Sequence, residues 1–398
     1  MIGSNLFTSE AVTAGHPDKL CDQISDAIVD SFLTSDRAAR INAECAVAHG
    51  VIFIAASYAA STSIDIPEVA RTIIKDVGYE TGEFNAADCS VLTSIRELPA
   101  HQRFESADDE LDSSNLDALT VSNQVTAFGY ACRHTDALMP LPIWLARHLC
   151  QRLHERSDKL KTSPLSPDAT VQVGIEFKDR QPKRIHSINF TVHSEQACDT
   201  EDLRAEIVSE IIKPVVAKES IRVDKRTRIF LNHQGPILSG GPVVHSGLTG
   251  RKTAVDTYGQ FARHSESAQS GKDPLRIDRV AAYAARHAAK NVVAAGLADE
   301  CELLLSYSMG LAGPVSVQFE TFGTEHFDQG DIHAAITRHF DFRLGAIVRD
   351  FALCDLPAEH SGNFYRRLAA YGQVGFTDLA PPWEETQVAE KLREDLAS

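Results

Sequence analysis

Gly15-His16-Pro17-Asp18-Lys19-Leu20-Cys21-Asp22-Gln23-Ile24-Ser25-Asp26-Ala27 is the stretch on which the fold turns. Pro17 reads as the first residue of a helix, where a missing N–H costs nothing and the fixed φ is already helical. Beyond it Leu20, Ile24, Ile28 and Phe32 recur every four positions, the buried stripe of an amphipathic helix. Asp18, Asp22, Asp26 and Asp30 form a second stripe at the same spacing. For Asp26 and Asp30 the plain reading is a solvated acidic face, whereas Asp18, in the first turn beside His16, reads as functional. The helix N-terminus offers unsatisfied N–H groups and the positive end of the dipole, which suit a phosphate, with Asp18 placed for its metal.

Outward from this helix the chain alternates strand and helix patterns. Residues 47–58 read as a buried strand and 66–77 as the next helix, while 99–115 is polar, aperiodic and loop-like. Residues 140–155 read as a helix, 171–177 and 185–192 as paired strands, and 200–216 as a helix interrupted near Pro214. A third unit opens with a strand at 228–231 and a Gly-rich segment. It continues with a long Ala-rich helix over 274–295, for which Asp273 is the expected N-cap and Pro274 the first helical residue. Strands at 303–309 and 315–321 and helices near 332–340 and 344–351 complete it. The expectation is an α+β protein of three similar units.

Composition narrows the function. The 398 residues carry a formal charge of −16, which disfavours nucleic acid and anionic membrane surfaces as partners. The eight cysteines show no metal-ligand spacing and read as reduced core thiols; with no targeting segment or long apolar run, a cytoplasmic enzyme is expected. Cations concentrate in Gly247-Leu248-Thr249-Gly250-Arg251-Lys252 and in Ser270-Gly271-Lys272-Asp273-Pro274, followed by Arg276 and Asp278. Neither segment is a Walker A loop, which needs Gly-x4-Gly-Lys-Ser/Thr.

These segments, with Phe7-Thr8-Ser9-Glu10, Phe128-Gly129-Tyr130 and Val255-Asp256-Thr257-Tyr258-Gly259, resemble the S-adenosylmethionine synthetase family across nearly the whole chain. The resemblance implies three pseudo-threefold-related α/β domains, over residues 4–106, 117–236 and 237–385, and a homodimer with active sites at its interface; pairing into tetramers is left open. It also implies a reaction in which a thioether sulfur attacks C5′ of ATP and expels triphosphate, later hydrolysed to phosphate and diphosphate. A neutral sulfur needs no deprotonation, so no general-base triad is expected. On this basis His16, Lys252 and Lys272 are the candidate catalytic residues. Lys19, Asp179, Arg251 and Ala268 join them as ATP contacts, Asp18 and Asp278 would hold Mg²⁺, and Glu44 would hold K⁺.

The acceptor end departs from the family pattern. Ser57 and Asn123 stand where the family has acids that bind the methionine ammonium, and His245 stands where it has an aspartate. Pro236-Ile237 replaces an Arg-Phe pair, and His264-Ser265-Glu266-Ser267 interrupts a glycine run. Arg276 replaces a lysine on the carboxylate side, and Gln102 lies near the expected lid glutamine. Methionine is the first expected acceptor, giving S-adenosylmethionine. Another thioether, or a weakly catalytic regulatory role, remains the alternative.

Overall fold

The computed structural model describes residues 5–104, 115–160, 162, 165–194, 199–376 and 378–397. Among the described residues eleven strands run in chain order: β1 (Asn5–Val12), β2 (Arg40–Ala48), β3 (Val51–Ala59), β4 (Ser90–Glu97), β5 (Val125–Cys132), β6 (Leu165–Lys178), β7 (Gln181–Ser194), β8 (Arg228–Leu231), β9 (Gly247–Leu248), β10 (Glu300–Tyr307) and β11 (Ser316–Glu320). They make three sheets, ordered β1-β6-β7-β8, β4-β3-β2-β9 and β11-β10-β5. Each sheet draws one strand from another part of the chain: β1 joins the central strands, β9 joins the first unit and β5 joins the third. The three units are therefore interlocked. A strand cannot be withdrawn from its neighbour without exposing a row of backbone donors and acceptors.

The helices that position the site are α1 (Pro17–Ser35), α2 (Ile66–Asp76), α3 (Leu141–Arg156), α4 (Thr200–Ile207), α5 (Lys213–Val216), α6 (Thr253–Asp256) and α7 (Ile277–Ala294). Both α1 and α7 are buried on nearly all sides. This corrects the solvated-face reading of Asp26 and Asp30, both of which are fully buried, as is Asp22. Each carboxylate instead caps a loop from elsewhere in the chain. Asp18 accepts from Leu248 N at 3.0 Å, Asp22 from Gly250 N at 2.7 Å and Asp26 from Gly271 N at 2.8 Å. Asp30 accepts from Tyr365 N and Arg366 N at 3.0 and 2.9 Å. One helix edge thus nails down both Gly-rich cationic segments, because the i, i+4 spacing puts the four carboxylates in line.

Three other expectations shift. Residues 47–58 are not one strand: β2 and β3 form an antiparallel hairpin that turns at His49, φ 49°, and Gly50. Strand 228–231 pairs parallel with β7, so it belongs to the sheet of the central unit and not to the third. The cap of α7 is Arg276, while Asp273 binds Leu275 N and Ile41 N, fastening the segment to β2 before the helix starts. Most of the expected loop, residues 105–114, lies outside the described residues.

Candidate active site

His16 caps α1, its Nδ1 accepting from Asp18 N at 3.1 Å. Gly15 before it has no alternative, since a Cβ there would lie 2.5 Å from the Pro167 carbonyl oxygen. Burial and the nearby Lys252 lower the His16 pKa to about 4, against the raising effect of Asp168. The ring is neutral at physiological pH. With Nδ1 occupied as an acceptor, the proton resides on Nε2, a donor aimed away from its own helix.

The unfolded chain binds the extra proton below about pH 6.5, and the folded chain only below about 4. His16 therefore subtracts stability as pH falls through that window. In His16→Asn, which keeps a capping side chain but does not titrate, the slope of melting temperature against pH between 4 and 6.5 should be shallower than in the parent; an unchanged slope by differential scanning fluorimetry would refute the shift.

Asp18 is fully buried, with Oδ1 3.0 Å from Arg251 Nε and Oδ2 3.4 Å from Lys252 Nζ. Its Oδ2 has no hydrogen-bond partner among the described residues. Ala268 lies against Gly250 in the same turn, where an added Cβ would come within 2.2 Å of its methyl carbon. His245 stacks over His16, ring centroids 6.4 Å apart and planes 11° from parallel. A second group sits beside it along β2. Lys272 Nζ is 3.4 Å from Asp278 Oδ1, which also accepts from Asn123 Nδ2 at 2.8 Å. Burial depresses the Lys272 pKa, with Asp278 and Glu44 acting against it and Arg276 with it.

Gly271 makes this second group possible. Its φ is +79° and a Cβ would lie 1.9 Å from the Ala43 carbonyl oxygen, so the Lys272 segment can press onto β2 only through a glycine. Lys272 bridges Asn42, whereas Leu248 pairs with Ala46 on the same strand. The two groups are thus four residues, or ~13 Å, apart along β2. Arg276 follows in the turn before α7, its Nε buried without a hydrogen-bond partner among the described residues. Ser57 pairs with Asn42, two strand spacings, or ~10 Å, from Lys272.

Two expected ATP contacts are placed elsewhere. Lys19 is fully buried between Asp22 at 3.0 Å and Asp256 at 2.5 Å, which raise its pKa against the effect of burial; its ammonium is held in a buried ion pair. Asp179 occupies the β6–β7 hairpin turn at φ 50°. The carboxylate whose charge acts on His16 is instead Asp168, eleven residues and ~36 Å back along the chain. Sequence reading missed Asp168, although Pro167-Asp168 opens the alternating run of that strand. Gln102 is exposed in the turn after β4 and makes no side-chain hydrogen bond to either group among the described residues, while the neighbouring Arg103 is tied to Asp36.

The site therefore gathers four cations, two buried carboxylates and a neutral imidazole donor on two glycine-pinned loops, an arrangement suited to a polyanion with a metal. Comparison with known proteins agrees. Residues 4–100, 118–237 and 239–385 match the N-terminal, central and C-terminal domains of S-adenosylmethionine synthetase. The S-adenosylmethionine synthase of Gloeobacter violaceus is 42% identical over 407 residues, spanning 98% of this chain and 97% of its own length. That of Trichodesmium erythraeum is 40% identical over 404 residues, spanning 98% and 96%. Matches of this length and identity place the chain in the S-adenosylmethionine synthetase family.

Proposed function

We infer that the chain transfers the adenosyl group of ATP to methionine, forming S-adenosylmethionine. The observation that carries this reading is the convergence of Arg251, Lys252 and Lys272 on the buried Asp18 and Asp278, beside a His16 ring held neutral. The methionine sulfur attacks C5′, the C5′–O bond breaks, and the electron pair leaves on the triphosphate. His16 Nε2–H donates to that oxygen, while the three cations take up the charge that develops on it. Arg276 presents a planar fork for the methionine carboxylate, and Ser57, Asn123, His245 and Gln102 are the candidate groups around the rest of the acceptor.

Asp18 and Asp278 fit Mg²⁺, since one buried Asp18 oxygen has no hydrogen-bond partner among the described residues and both groups are hard oxygen donors. Bound there, Mg²⁺ would neutralise phosphoryl oxygens during displacement and hydrolysis. For K⁺ the residues do not make a site by themselves: Glu44 is a single exposed carboxylate, and no step is routed through it. The test is obligate coupling. Phosphate and diphosphate should appear from ATP in equal amounts and only when methionine is present; release independent of methionine would mark a plain triphosphatase.

The same reading includes a homodimer. Leu92, Phe53, Ala46 and Leu248 form one row across β4-β3-β2-β9, and Leu92, Phe53 and Leu248 are exposed by 55%, 45% and 45%. An apolar row at this exposure on an open sheet face suits a second copy of the chain, and Glu44 and Ser57 lie on that same face. Phe53→Asp should shift the sedimentation of the protein from dimer to monomer. A variant that still sediments as the parent does would remove this face from the interface. No helix among the described residues is long and apolar enough to cross a membrane.

A further inference from the structure

We propose that Asp168, His193 and His245 form a binding site for a borderline divalent transition cation, of which Zn²⁺ is the reference ion. Their ligand atoms lie within 4.8 Å of one another. The three come from separate parts of the fold: Asp168 from the start of β6, His193 from the end of β7 and His245 from the turn before β9. Asp168 and His193 are buried, while the His245 side chain is 46% exposed and leaves one side open.

The details favour a metal over a simple polar cluster. Asp168 is a buried carboxylate with no lysine or arginine in salt-bridge reach among the described residues; its close basic neighbours are His245 Nε2 at 3.5 Å and His193 Nδ1 at 3.7 Å. Its Oδ2 is steadied by Gly241 N–H at 2.8 Å. His193 Nδ1 lies 2.8 Å from the Asp168 main-chain oxygen. A backbone carbonyl that takes one ring N–H is the arrangement that orients metal-binding histidines, and it leaves the lone pair on Nε2. A buried carboxylate held by one backbone N–H and two imidazoles, with no lysine or arginine in salt-bridge reach among the described residues, is stabilised by a bound cation.

Two imidazoles, one carboxylate and an open fourth position are the donor set of a zinc site that keeps a water. Mg²⁺ prefers oxygen ligands, so this cluster and the Asp18–Asp278 pair select different ions. The His245 ring also stacks on His16, so an ion held here lies beside the group assigned to the leaving oxygen. His245 is also among the groups placed around the acceptor, so the ion is sought on protein free of substrates.

The experiment is a titration of chelator-treated, nucleotide-free protein with Zn²⁺ against a chromophoric competitor, in excess Mg²⁺. One equivalent per chain should bind, and His245→Ala should weaken that binding by about 100-fold. Because His245 is half exposed, the variant should fold as the parent does. Substituting Co²⁺ gives a second readout, a visible absorption band that is present in the parent and lost in His245→Ala. Absence of stoichiometric binding in excess Mg²⁺, or equal affinity in the parent and His245→Ala, would overturn the proposal.

Discussion

Lys272→Ala should lower kcat by about 10²- to 10³-fold, the loss expected when one preorganised group that meets developing charge is removed. Lys272 is largely buried, lies 3.4 Å from Asp278 and is delivered to its place by the contact of Gly271 with β2. Truncation leaves these backbone contacts in place, so the melting temperature should change little while adenosyl product and phosphate release fall together. A drop in kcat with a smaller change in KM is the pattern for a group used mainly in the transition state. Unchanged turnover would mean that the leaving triphosphate lies elsewhere.

Asp26→Ala should cost about 3–5 kcal/mol of folding stability, the penalty for leaving the other member of a buried ion pair without its partner. Arg279 Nη2 is 2.6 Å from Asp26, both side chains are fully buried, and the same carboxylate holds Gly271 N–H. Asp26 therefore joins three parts of the chain: α1, the Lys272 segment and the first turn of α7. Arg279 keeps a hydrogen bond to Tyr283 and a stacked position over Tyr365, at 4.3 Å, but neither neutralises its charge. Denaturant unfolding measures the effect. A loss below about 1 kcal/mol would show that the ladder on α1 is not what fastens the site.

Most of the helices were legible because their periodicity is strong. The apolar stripe Leu20, Ile24, Ile28 and Phe32 defined α1, and the Ala-rich run defined α7. What the stripe of aspartates does was not legible, since its meaning depends on three distant loops whose N–H groups arrive only in the folded state. The hairpin β2–β3 was hidden for a local reason: its turn uses His49 at positive φ, not an Asn-Gly or Asp-Gly pair. The sheet membership of β1, β5, β8 and β9 is set by long-range pairing, which no local pattern encodes.

His16, Asp18, Arg251, Lys252, Lys272 and Asp278, singled out on helix starts and glycine-rich segments, are brought by the fold into two neighbouring groups. Lys19 was misread because its position in the first turn of α1 is correct while its side chain is drawn inward by Asp22 and Asp256. Asp168 escaped because a carboxylate at a strand start carries no motif, and its electrostatic influence on His16 depends on the pairing of β1 with β6. Helix-start chemistry is local and readable; chemistry assembled across strands is not.

The most direct measurement of the central claim incubates the purified enzyme with ATP, Mg²⁺ and K⁺, and with either methionine or its deaminated analogue 3-(methylthio)propionate, and follows the adenosyl product by mass spectrometry. S-adenosylmethionine should form from methionine, in step with phosphate and diphosphate and faster than any product from the analogue. Adenosylation of the analogue with none of methionine would contradict it.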